Sequence, residues 1–221
     1  MAEIVQVNPE HPEAGLIARA ADLIGRGQVV AIPTDTLYGL AANPFDSGAV
    51  ERVFAIKGRP QNLPLLLLID SVDMACELAR NLPPQFERLA KRFWPGPLTI
   101  VVDASANVPA KVTGGTGRIG LRLPAAAIPR ALVKQAGVPV TGTSANRTGE
   151  TECASAQEVE QRLGESVPLI LDGGVSRARQ TSTVVSVRAD SWEVLREGVI
   201  AAEEIAAVLG PRNHGNPGPA R

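Results

Sequence analysis

Imidazole is nearly missing from this 221-residue sequence: its two histidines are His11, near the start, and His214, in a Gly/Pro/Asn-rich end segment. The two cysteines, Cys76 and Cys153, lie far apart and belong to no C-x-x-C pair. A structural zinc site draws four Cys/His ligands, and a Ser-His-Asp or Cys-His site needs a well-placed imidazole. Both are excluded from the body of the chain. Chemistry here falls to carboxylates, Lys/Arg, hydroxyls, backbone amides and a bound cation. Two cysteines also make no disulfide framework, so a reducing cytoplasm is the default location.

Aromatics are scarce too, with Phe 4, Trp 2 and Tyr 1, too few for the stacking platforms that single-stranded RNA readers present. Lys+Arg 22 against Asp+Glu 23 leaves a net charge of −1. Wholesale electrostatic attraction to nucleic acid is not implied, although a local basic cleft is compatible with it. The longest apolar run covers residues 63–69 and contains Pro64, far short of the ~20 residues needed to span a bilayer. The opening Met-Ala-Glu-Ile-Val lacks a basic-then-apolar secretory pattern, so no membrane is expected.

What the chain does have is Gly 21 and Pro 18. That is a turn-rich composition, still below the roughly 25–30% that marks low-complexity disorder. A chain of this length suits one domain. Leu16, Ile17, Ala20, Leu23 and Ile24 recur at helical spacing. Residues 28–32 and 65–69 read as buried strands. Ser47 is expected to cap a helix that runs to Lys57, with Gly58 as its C-terminal cap. Short helices are predicted from Ser71 and after Pro84, with a strand over 98–102. From Arg118 to Leu123 the pattern alternates, Ile119, Leu121 and Leu123 facing one way and Arg118, Gly120 and Arg122 the other. A helix follows around 128–135 and a strand over 138–141. Ser155 with Glu158 forms a capping box. Strands over 167–171, 183–187 and 193–195 precede a last helix, 201–209. About eight strands interleaved with six or seven helices give an α/β class: a single-domain, twisted mixed sheet with helices on both faces. Residues 1–209 form this domain, and residues 210–221, without an apolar anchor, read as a disordered tail.

Several motifs mislead. Gly115-Thr-Gly117-Arg-Ile-Gly120 has dinucleotide-binding spacing but runs into a strand, whereas that fingerprint must open a helix. No G-x-x-x-x-G-K-[ST] occurs, and Gly142-Thr-Ser144-Ala-Asn146 lacks the last glycine of a nucleophile elbow.

Four polar clusters sit just past strand ends, where α/β architectures keep ligands. The first is P-T-D-T-L-Y-G-L, residues 33–40, with two hydroxyls and a carboxylate beside one another; it reads as a ligand loop or as a capped turn. The second is Lys57-Gly58-Arg59-Pro60. Here a point charge and a planar fork leave a helix end for solvent or ligand, favoured there in any case by the macrodipole. The third is Arg118 with Arg122 on one strand face, roughly 13 Å apart by strand rise, on a solvated face or in an anion-lined cleft. The fourth is Thr141-Gly-Thr143-Ser144-Ala-Asn146, rich in hydroxyls and backbone N–H groups suited to phosphate or carboxylate. Asp172-Gly-Gly174 and Arg196-Glu-Gly198 add less. Together the clusters hold many cations and hydroxyls, few carboxylates and no imidazole, which suits positioning and charge stabilisation of a polyphosphate.

P-T-D-T-L-Y-G-L (33–40), K-G-R-P (57–60), W-P-G-P-L-T (94–99), R-L-P (122–124) and S-A-N (144–146) occur in the order seen in the YrdC/TsaC family, the threonylcarbamoyl-AMP synthases. The chain resembles that family from about Gly15 to Gly198. The resemblance implies a YrdC-like fold with a concave, positively lined cavity. It implies that L-threonine, bicarbonate or CO2 and ATP, accompanied by Mg2+, give L-threonylcarbamoyladenylate and pyrophosphate. That product serves threonylcarbamoyladenosine formation next to the anticodon of tRNA, with tRNA or tRNA-modification proteins downstream. It assigns Lys57, Arg59 and Asn146 to ATP phosphates, and Thr36, Arg122 and Ser144 to threonine or its carbamate. Arg118 and Arg196 go to the nucleotide. The cation is carried by the ATP phosphates and not by protein ligands. Longer relatives often carry Asn and His where this chain has Leu63 and Leu68, and their second, C-terminal domain has no counterpart here.

Two other readings stand beside the synthase. One is a non-catalytic module for double-stranded RNA or tRNA that uses the basic concavity; the other is a nucleotide hydrolase, weakened by the want of a carboxylate cluster for two metals.

Overall fold

Two sheets organise the chain, where the strand pattern led us to expect one. The computed structural model describes residues 1–176, 178 and 180–210. Among them are twelve strands and seven helices. The expected tail, apart from Gly210, lies outside the described residues, as does His214. The first sheet holds β1 (Glu3–Gln6), β2 (Val30–Ile32), β3 (Gly39–Ala41), β9 (Thr143–Ser144) and β10 (Leu169–Asp172), in the order β1-β10-β2-β3-β9. The second holds β4 (Leu66–Leu68), β5 (Ala79–Asn81), β6 (Leu98–Ala104), β7 (Arg118–Arg122), β8 (Val140–Thr141), β11 (Thr183–Val187) and β12 (Trp192–Arg196). Its order is β12-β11-β6-β7-β4-β8, with β5 alongside β6. Both are mixed: β1, β10 and β2 run parallel while β3 and β9 are antiparallel, and β6 pairs parallel with β11 but antiparallel with β7. Strands β1, β3, β5 and β9 were not legible in the sequence.

The apolar strands are buried on both faces, as their composition requires. In β2, Ala31 joins the larger core, which links both sheets through Tyr38, Leu40, Leu67, Ile100 and Leu121. Its neighbours Val30 and Ile32 turn to a smaller core that seats α1 (Ala14–Gly25) and α5 (Ala127–Ala136). Helix α2 (Ser47–Lys57) belongs to the larger core through Val53 and Phe54. Its N-terminal cap is Asp46, not Ser47: the Asp46 carboxylate accepts from Gly48 N at 2.8 Å and Ala49 N at 3.1 Å. Ser47 is the first helical residue. At the other end Gly58 has φ 56°, a left-handed turn that glycine takes without strain. Arg59 N then donates to Phe54 O at 3.0 Å, which closes the helix and releases the chain toward the site. Ser71 caps α3 (Val72–Leu78), and α4 spans Pro84–Phe93. Ser155 caps α6 (Ala156–Leu163) by accepting from Glu158 N, while the Glu158 carboxylate accepts a hydrogen bond from Ala154 N, one residue before the expected partner. Helix α7 covers Ala202–Leu209.

The two sheets are joined by one short crossing. The strand expected over 138–141 ends at Thr141, and after Gly142 the chain re-enters as β9 in the other sheet. Thr141 staples the sheets together: its Oγ1 donates to Leu40 O at 2.7 Å and accepts from Ala42 N at 3.0 Å. Gly142 is required by space, since a Cβ there would lie 2.6 Å from the Leu68 Cγ.

Candidate active site

A cavity of about 320 Å3 lies where the sheets meet. Its wall comes from the β2–β3 turn with Thr34 and Thr36, from β6 with Thr99, and from the crossing with Thr143 and Ser144. The 181–184 segment with Ser182 completes it. Four guanidiniums line it, those of Arg59, Arg118, Arg122 and Arg196, and no carboxylate or imidazole stands among the described lining residues. The alternation of β7 supplies two of these guanidiniums. Ile119 and Leu121 go to the core, and Arg118, Gly120 and Arg122 go to the cavity. Gly115 and Gly117, at φ 75° and 67°, form the turn into this strand, so the apparent dinucleotide motif is a strand entry.

Each arginine is anchored differently. Arg122 is 3% exposed; its NH1 donates to Thr36 Oγ1 at 2.9 Å and its Nε to Gly96 O at 3.2 Å. Its NH2 lies 2.7 Å from Asp35 Oδ1 in an ion pair. Arg118 is heavily committed: NH1 to Asp103 at 2.8 Å, NH2 to the carbonyls of Val101 and Val187 at 2.9 Å each. Arg196, exposed at the rim, donates through Nε and NH2 to Ser182. Arg59 is the freest, with NH2 on Pro64 O at 2.8 Å and a buried Nε that has no hydrogen-bond partner. Burial, and after it the Arg196 charge, hold the Arg59 guanidinium below its ordinary range. Cations crowded this way lower their mutual repulsion when a polyanion enters.

Lys57 differs from expectation. The side chain turns inward and is 3% exposed. Its Nζ donates to Ser144 O at 2.6 Å, Asn146 O at 2.8 Å and Asn146 Oδ1 at 3.0 Å. Asn146 is also buried; its Oδ1 accepts from Ser144 Oγ at 2.6 Å and its Nδ2 donates to Glu150 O at 2.7 Å. Lys57 and Asn146 therefore lie together behind the cavity wall and brace the Ser144–Asn146 segment. Burial, then the Arg59 charge, push the Lys57 ammonium down to about 8, against three acceptors that favour the charged form. Of the eight residues singled out in the sequence, Thr36, Arg59, Arg118, Arg122, Ser144 and Arg196 line the cavity and the other two stand directly behind it.

Other lining groups were missed. Ser182 Oγ pairs with Thr99 Oγ1 at 2.9 Å, and single hydroxyls of this kind carry no signature in a sequence. Leu68, fully buried, packs against Gly142, and Leu63 is 38% exposed away from the lining. Neither supplies a polar group. Asp172 accepts from Gly174 N at 2.9 Å and from the Tyr38 hydroxyl at 3.3 Å. The Tyr38 phenol, raised by burial and then by the Asp172 charge, stays neutral.

The Sua5/YciO/YrdC family model (telomere recombination) matches residues 22–198. A threonylcarbamoyl-AMP synthase of Pyrococcus abyssi is 40% identical over 95% of this chain and 62% of its own length. The chain thus spans about three-fifths of that relative. A threonylcarbamoyl-AMP synthase of Vibrio vulnificus is 34% identical over 78% of this chain and 93% of its own length. The crystal structure of Pyrococcus abyssi Sua5 complexed with L-threonine superposes with a TM-score of 0.91 at 39% identity, covering 96% of this chain and 62% of that one.

Proposed function

The chain belongs to the Sua5/YciO/YrdC family, and we propose that it makes L-threonylcarbamoyladenylate from L-threonine, bicarbonate or CO2, and ATP, with release of pyrophosphate. The observation that carries this reading is the cavity itself: four guanidiniums and several hydroxyls converge on about 320 Å3, with no carboxylate among the described lining residues. Such a site holds two anionic reactants together and leaves proton transfer a small part.

Arg122, with Thr36 and Ser144, receives threonine or its carbamate. The threonine amine forms a bond to the carbon of CO2, with loss of a proton to solvent, or of bicarbonate, with loss of water. A carbamate oxygen then attacks the α-phosphorus as the bond to pyrophosphate breaks. Arg59, Arg118 and Arg196 neutralise the phosphates. Lys57 and Asn146 hold the Ser144–Asn146 segment in place; for Lys57 to touch a phosphate it must release at least one of its three acceptors. The described residues contain no group of three or more His, Cys, Asp or Glu able to hold a metal. The lining donors suit phosphate oxygens, so Mg2+ belongs with ATP as part of the substrate, where it supplies charge neutralisation. The product serves threonylcarbamoyladenosine formation beside the tRNA anticodon, in a cytoplasm where Cys76 and Cys153, both free thiols, remain reduced.

A double-stranded RNA module would spread its cations over an outer face, whereas here they line one cavity. The test is pyrophosphate release by the purified chain with ATP, bicarbonate and threonine. Release that needs threonine supports the synthase; phosphate release without threonine, or no turnover with tight tRNA binding, overturns it.

A further inference from the structure

Asp35 sits between two cavity-lining residues, Thr34 and Thr36, yet does not line the cavity. Its side chain is 13% exposed and faces Arg122 from behind, Oδ1 at 2.7 Å from NH2. Asp35 Oδ1, Asp35 Oδ2 and Arg122 NH2 are all closed off from solvent, and among the described residues no other group donates to the carboxylate, so the contact is a buried ion pair. A buried carboxylate without donors is costly unless a charge supports it. The charge that does so is the Arg122 guanidinium. Buried ion pairs are poor sources of stability, since apolar replacements of similar volume often do as well. The pair calls for another explanation.

The remaining contacts of Arg122 supply it. Gly96 O holds Nε and Thr36 Oγ1 holds NH1, each from one side of the guanidinium. Asp35 supplies the third point. It holds the buried NH2 by charge, so that the guanidinium is fixed at three points and cannot swing about its Nε. We propose that Asp35 is a positioning residue: by holding NH2 from behind it fixes the Arg122 guanidinium so that its cavity-facing side meets the carboxylate or carbamate of the amino-acid substrate. This rests on the reading of the site as one for threonine.

Removing the Asp35 charge leaves the site more positive and by itself favours an anion, but three other guanidiniums already provide that field. A misaimed clamp is the larger effect, since small displacements of positioning groups cost up to about a hundredfold in rate.

The test is Asp35→Asn, which keeps the shape and removes the charge. Threonine binding is measured by calorimetry without ATP, and steady-state constants are measured for both substrates. The expected result is a rise of about tenfold or more in the threonine Kd and KM, with the ATP KM within about twofold. A merely structural pair would lower the thermal midpoint and move both KM values together, or neither. Unchanged threonine affinity in folded Asp35→Asn overturns the proposal. If that variant does not fold, Asp35→Glu, which keeps the charge but displaces it by one methylene, is expected to lose threonine affinity about threefold or more; no loss overturns the proposal equally. A wild-type chain that fails to bind threonine at all would instead sink the functional reading.

Discussion

The ammonium of Lys57 touches Asn146 twice, at 2.8 Å from its backbone oxygen and 3.0 Å from Oδ1, although 89 residues separate them in the chain. With Thr148 N donating to Lys57 O at 2.8 Å, the end of α2 is sewn to the segment that carries Ser144. The lysine acts on the cavity through that segment.

Replacing Lys57 by Met removes one donor from three oxygens: Asn146 O is stripped of its partner, while Ser144 O keeps Asn146 N and Asn146 Oδ1 keeps the Ser144 hydroxyl. We expect a fall in stability of about 1–3 kcal/mol together with loss of turnover, read by denaturant unfolding and pyrophosphate release. The pH dependence has a definite sign. The folded-state value, about 8, lies below the ordinary 10.5, so the unfolded chain binds this proton more tightly. The burial penalty is complete below pH 8 and is relieved as pH rises toward 10.5. Wild-type stability relative to Lys57→Met should therefore climb across that window; a flat difference would show that the three acceptors outweigh burial.

Arg59 has one anchor and an unpartnered Nε. Arg59→Ala is expected to leave the fold within about 0.5 kcal/mol. The ATP KM should rise by about ten- to a hundredfold, the cost of losing a charge-assisted contact of about 1.5–3 kcal/mol, with threonine affinity held. Raised salt should weaken ATP binding in wild type more than in the variant.

Gly120 has no positive φ to explain it. It is the floor of the cavity between the two arginines of β7, and a Cβ would come within 3.1 Å of Thr99 Cγ2. Gly120→Val fills the space that a ligand needs, while β-branching suits a strand. We expect a folded protein whose kcat/KM falls about a hundredfold or more, checked by turnover and by circular dichroism on the same sample.

Asp46→Ala should cost about 1 kcal/mol, the value of an N-terminal cap, and Ser47→Ala should fall within about 0.5 kcal/mol. Thermal unfolding of the two variants side by side decides between the capping residues.

Much of this was legible beforehand because period and composition are local. The alternation of β7 is written in residues 118–123, and the apolar strands announce burial on both faces. The first polar cluster follows β2 as expected, whereas the second leaves the end of α2 and the third and fourth lie on β7 and across β8 and β9; six of the eight residues singled out in the sequence line the cavity. What was not legible depends on partners distant in the chain. Strand β9 is two residues long and exists because β3 pairs with it. The crossing at Gly142 splits what read as one sheet into two. The inward turn of Lys57 requires acceptors from residues 144 and 146, which nothing near position 57 discloses. Asp35 stood in view as a carboxylate in the P-T-D-T turn, but its partner Arg122 is on another sheet.

The crossing at Gly142 also sets a tolerance. With the Leu68 side chain standing where a Gly142 Cβ would be, the passage from one sheet to the other is one bare backbone wide. Even a methyl placed there would have to push Leu68 or the crossing aside, so the fit of the two sheets turns on a side chain that the residue lacks.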